Sequence, residues 1–147
     1  MSRQRVYPLA LAVWLLLFVV AFSLGAMREL LIAPAIGEQA AHVVGTLGFV
    51  AVLLGITAVF VRHIRPRCSP TDLWLVGLLW LALTAAFEFL FFHYATGKPW
   101  EVLLADYNVL RGRIWVLVPL TELFGPPLIG WLMRPPPDRQ ATEGRRS

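Results

Sequence analysis

The sequence predicts an all-α fold, a four-helix transmembrane bundle with a short interfacial helix before the last span. Two observations predict it. Four long apolar runs carry most of a composition that is 58% apolar over 147 residues. Short segments rich in Arg, Gly and Pro separate them. Each run is close to the ~20 residues that a helix needs to cross a ~30 Å hydrocarbon core. The length suits one unit. It comprises residues 1–133, with spans at about 9–27, 40–61, 73–93 and 114–133, followed by a disordered cytoplasmic tail at 134–147.

The first span, Leu9–Met27, follows a basic leader carrying Arg3 and Arg5, and Pro8 suits a first helical position. This start also has the layout of a secretory signal, with Ser23-Leu24-Gly25 at cleavage spacing. The long apolar run, which resumes at Leu30, predicts an uncleaved span instead. Leu30–Ile36, interrupted by Pro34, either extends that helix or lies in the interface. Gly37-Glu38-Gln39 is a turn and helix start with an acid in the first turn. Ala40–Val61 is the second span. Its Ala41, Gly45, Gly48 and Gly55 form a small-residue stripe that predicts close approach of another helix.

Pro66 and Pro70 break the loop Arg62–Asp72. Ser69 or Thr71 suits the cap of the third span, and Asp72 its first turn. From Leu73 to Phe87 only Gly77 and Thr84 interrupt the apolar run, and Glu88 follows. Gly77, Leu81, Thr84 and Glu88 share one face. After the turn at Gly97, residues Pro99–Leu110 read as the interfacial helix, with Trp100 and Tyr107 at headgroup level. The last span, Ile114–Met133, contains Pro119, Glu122 and Gly125-Pro126-Pro127.

Charge sets the expected orientation. Arg3, Arg5, Arg62, Arg65, Arg67, Arg134, Arg139, Arg145 and Arg146 fall on one side, against Arg28, Lys98, Arg111 and Arg113 on the other. The excess predicts cytoplasmic N- and C-termini. The net charge of +4 sits between apolar runs, where it meets lipid headgroups, and no basic-aromatic repeat points to nucleic acid. Cys68 is the single cysteine, so the chain forms no internal disulfide.

In this topology Arg28, Glu29, Glu38, His42, Glu88, His93, Asp106 and Arg113 gather toward the outer side. An ionised carboxylate at the centre of a bilayer costs roughly 2.5–3.5 kcal/mol. Glu88, about 7 Å inside its span at helical rise, therefore needs a partner, water or a proton. It either pairs with Arg28 or Arg113 and holds the helices in register, or serves a transport or binding path. Glu122 lies nearer the midplane, where Pro126 deprives its carbonyl of the usual helical donor. Glu122 either packs at a proline kink or lines a site of the kind built from broken helices. Glu38 and His42, one turn apart, are weak metal-ligand candidates and Glu88 or His93 could add to them. An interfacial helix start explains the first pair as well. No Gly-x-Ser-x-Gly and no phosphate-cradling glycine loop occurs. Asp106 with Arg111 and Arg113 could hold an anionic group or lipid headgroup, and interfacial anchoring explains the same residues more simply.

One pattern resembles a known group. It runs Arg28-(x5)-Pro34-(x2)-Gly37, then Phe87-Glu88, then Gly97-(x2)-Trp100-Glu101, and ends in Asp106-Tyr107-Asn108-(x2)-Arg111-Gly112. Over roughly residues 9–133 it is similar to small four-span bacterial inner-membrane proteins whose activity is uncharacterised. Ala41-His42 stands where that pattern has a more basic Ala-Arg-type pair. The resemblance implies a bacterial cytoplasmic membrane and four helices, and it brings no activity.

The function expected first is an accessory or assembly component of the bacterial inner membrane, within a larger complex or a homodimer. One alternative is a small proton-coupled carrier or channel using Glu88 and Glu122. Another is a membrane enzyme or metal site at the outer face using Glu38 and His42.

Overall fold

The computed structural model describes residues 5–97, 99–105 and 114–134. Among these 91% are helical and no strand occurs. α1 is Val6–Ile36, α2 is Glu38–Ile64 and α3 is Pro70–Thr96. α4 is the short Trp100–Ala105, and α5 is Leu117–Leu132. Three of these helices are long and apolar enough to cross a membrane, and α5 is a shorter apolar helix. Asp106, Tyr107, Arg111, Arg113 and the tail beyond Arg134 lie outside the described residues, as does Lys98.

Leu30–Ile36 extends the first helix. A π turn at Arg28–Ile32 makes this work, with the Ala33 N–H reaching back to the Arg28 carbonyl. Pro34 lacks the N–H that would meet Leu30 and needs room for its ring, and the wider turn gives it that room. α1 stops at Gly37, whose φ of 86° closes the corner in one residue. Ser69 opens α3 with a full capping box. Its hydroxyl accepts from the Asp72 N–H at 3.2 Å, and its own N–H donates to Asp72 Oδ2 at 2.8 Å. A second π turn spans Phe87–Phe91 and so carries Glu88. α3 runs on to Thr96, which puts Glu88 eight residues, about 12 Å at helical rise, from that end.

Cross-helix contacts fix the directions. Tyr7 donates to Asp72, Trp80 to the Ala10 carbonyl and Trp14 to Thr84, so α1 and α3 run parallel. Thr84 meets Glu122 and Gly130 faces Leu73, so α3 and α5 run antiparallel. Thr57 lies against Gly125 and Val61 against Gly130, which makes α2 and α5 parallel. The bundle is up-down-up-down, with α5 packed mainly on α3 and next on α2.

Close helix approach occurs at a seam other than the one the second-span stripe predicts. Among the described residues, a Cβ at Gly48 or Gly55 would meet nothing within 4 Å, and Gly45 accommodates only the Arg28 side chain. The buried residues of α2 are Ala41, His42, Thr46, Phe49, Leu53, Thr57, Phe60, Val61 and Ile64, so of the predicted stripe Ala41 is buried. The tight seam joins α3 to α5. There Gly77 sits under the Leu123 and Glu122 carbonyls. Pro126 and Pro127 leave those two carbonyls without their helical donors. α5 stays continuous through both prolines rather than breaking. Only 11%, 28% and 18% of the most apolar windows of α1, α2 and α3 are buried. Most of their apolar surface therefore faces outward, far more than water-exposed helices tolerate.

Candidate functional site

α1 and α5 face one another across the bundle, and a cavity of about 170 Å³ lies between them. Its walls come from four helices. α1 contributes Trp14 and Phe18, α2 contributes Phe49, α3 contributes Thr84 and Glu88, α5 contributes Glu122, and Trp115 joins them from the turn that precedes α5. Phe22, 74% exposed, stands at its rim. Among the described residues no Arg, Lys or His lines it.

Glu122 is 3% exposed. Its Oε1 accepts from the Thr84 hydroxyl at 2.9 Å. Thr84 Oγ1 in turn accepts from the Trp14 indole N–H at 2.9 Å. One hydrogen-bonded chain thus joins α1, α3 and α5. Among the described residues Glu122 Oε2 has no hydrogen-bond partner. A buried carboxyl oxygen in that state is a position for a water, a proton or an ion. Glu88 Oε1 accepts from the Trp115 indole N–H at 2.6 Å. Both carboxylates line the same cavity. Trp115 also stacks on Phe49, with 6.3 Å between centroids and 10° between planes.

Arg28 turns elsewhere. It pairs with the neighbouring Glu29 and donates through Nη1 to His42 Nδ1 at 3.2 Å. A guanidinium only donates, so His42 accepts through Nδ1. Arg28, Glu29, Glu38, Gln39 and His42 line a second pocket of about 120 Å³ at the α1–α2 corner. The structure thus brings Glu38 and His42 together. However, Arg28 occupies the lone pair that a metal would need on His42 Nδ1. Among the described residues no three His, Cys, Asp or Glu side chains gather as a ligand set. His93 is apart from both pockets and stacks on Trp100 at 4.1 Å and 20°. Asp106 and Arg113 fall outside the described residues.

The sequence pattern put Thr84 and Glu88 on one face but gave no reason to single out Trp14 or Trp115. Each is one aromatic within an apolar run, and only the bundle order shows that its indole meets a polar partner. The available signal was an N–H donor in an apolar segment, which must find an acceptor. Comparison of the chain with protein families, curated proteins and solved structures finds no match.

Proposed function

We propose that the chain is a four-span protein of the bacterial cytoplasmic membrane, with both termini cytoplasmic, and that it is a small proton-coupled carrier using Glu88 and Glu122. The observation that carries this reading is the shared cavity: both carboxylates line it, and Glu122 Oε2 is buried without a partner among the described residues. Ionisable groups inside apolar spans are costly and tend to mark ion or substrate paths. The outward-facing apolar surface of α1, α2 and α3 supports the bilayer as solvent. α5, at 16 residues, spans about 24 Å and needs its flanking turns or a thinner bilayer to cross.

The test is flux. Purified protein in proteoliposomes with an imposed pH gradient should dissipate it, as reported by an entrapped pH dye. Glu122→Gln and Glu88→Gln should each remove that flux while circular dichroism and size exclusion stay unchanged. Wild-type flux in both folded variants would refute the carrier.

A second reading, the accessory or assembly component, draws on Gly48 and Gly55. They leave a flat, open strip on α2 that suits a partner helix or a second copy. It requires co-purification of a larger complex or homodimer that Gly48→Leu disrupts.

A further inference from the structure

We propose that the cavity between α1 and α5 binds a small alkylated ammonium ion, held by the Glu88 and Glu122 carboxylates and by the faces of the surrounding aromatic rings. This rests on the carrier reading for its site and adds the chemical class of the cargo.

The lining decides the class. Two carboxylates are the only charged groups among the described lining residues, so the site favours a cation. Six aromatic side chains, Trp14, Phe18, Phe22, Phe49, Phe87 and Trp115, make up much of the remaining wall. Ring faces attract cations through the quadrupole. A hard metal ion fits poorly. Calcium takes roughly 6–8 oxygen ligands and magnesium demands an octahedron. Two carboxylates and the Thr84 hydroxyl fall short of that, and the apolar walls do not replace lost water. An alkylated ammonium carries its own apolar shell and gives up less hydration on entry. Size narrows the class further. The ~170 Å³ cavity is below the roughly 300–1,000 Å³ of pockets for drug-sized ligands. A choline-sized cation suits it.

Charge balance links this cargo to the proton. A monovalent cation and a proton each neutralise the Glu122 carboxylate, so the two compete for it. Exchange of one for the other at Glu122 couples them. The orphan Oε2 supplies an acceptor position for either, while Oε1 stays fixed by Thr84.

The test uses the full chain in uncharged detergent, titrated with choline chloride while tryptophan emission is recorded, since Trp14 and Trp115 line the cavity. Potassium chloride serves as the salt control. The second titrant is the neutral carbon isostere of choline, with carbon in place of nitrogen. Saturable choline binding is expected, with the isostere at least about tenfold weaker because it lacks the charge. Glu122→Gln should weaken choline at least about tenfold. Phe22→Leu should weaken it about threefold, since only a ring face is lost at an exposed rim position. Equal binding of choline and its isostere overturns the proposal. So does choline affinity undiminished in both Glu122→Gln and Phe22→Leu. If Glu122→Gln does not fold, the isostere and Phe22→Leu still decide. The two readings fail separately. Glu122-dependent proton flux without choline binding keeps the carrier and rejects this cargo. Choline binding without flux keeps the site and rejects transport.

Discussion

Gly77→Ala tests the α3–α5 seam on which the cavity depends. A Cβ at Gly77 would fall inside contact distance of the Leu123 carbonyl oxygen, with Leu123 C at 3.0 Å and the Glu122 oxygen at 3.1 Å. Carbon atoms pack best at roughly 3.5–4.0 Å, so the helices must part by about 0.5 Å or more. A gap of that size forfeits about a quarter to a half of the dispersion energy of each affected contact. The obstacle is backbone, held rigid by the helix, so a rotamer change does not relieve it. Overpacking of this kind costs about 1–3 kcal/mol. The Thr84–Glu122 hydrogen bond crosses the same seam, so the loss should reach the site as well. The assay is equilibrium unfolding in mixed micelles of mild and denaturing detergent, with Gly48→Ala alongside. A Cβ at Gly48 meets open space among the described residues. That variant should be neutral or stabilised by about 0.4–1 kcal/mol through reduced backbone entropy. Gly77→Ala with native stability would refute the seam, as would equal responses at both glycines.

Other expectations follow from single contacts. Ser69→Ala removes the cap of α3 and should cost about 1 kcal/mol by the same unfolding assay, with Ser69→Thr, which keeps the hydroxyl, close to wild type. Trp80→Phe should cost at least about 1 kcal/mol, because Trp80 is fully buried and its indole donates to the Ala10 carbonyl at 2.9 Å; native stability would count against that bond. Burial, and then the negative charge of Asp72, push the Cys68 thiol above its ordinary range. Maleimide labelling of folded protein should therefore reach half-rate at higher pH than labelling of denatured protein. In that window the unfolded chain has lost the thiol proton and the folded chain keeps it. Stability should then fall as pH rises through the window. Coincident labelling profiles would contradict the shift.

The four helices were legible because apolar length is a strong signal, and Ser69 with Asp72 carried its own spacing. The face shared by Thr84 and Glu88 was legible too, since helical geometry fixes which residues on one helix look the same way. The partners were less so. Glu88 was expected to meet Arg28 or Arg113; Arg113 lies outside the described residues, Arg28 pairs locally with Glu29 and His42, and the Trp115 indole was not foreseen as a donor to Glu88. A long flexible cation reaches many acceptors, so charge alone does not select among them. The glycine stripe of α2 marked where a helix can come near, while the order of helices in the bundle decided that the approach happens at Gly77 and Gly130 instead. α1 is apolar on all sides, so no periodicity announced that Trp14 faces inward.

That uniformity of α1 has a consequence for how the molecule tolerates change. In the bilayer proposed for it, a cylinder of apolar side chains has no preferred azimuth. Tyr7, Ala10 and Trp14, spaced three and four apart, form one line of polar contacts along α3, ending at Asp72, Trp80 and Thr84. Three pins therefore set the rotational phase of a helix that runs from Val6 to Ile36. The outward-facing residues Leu11, Leu15, Leu16 and Val19 should exchange freely for one another, whereas moving the pins by one position would turn the whole α1 wall of the cavity away from Glu122.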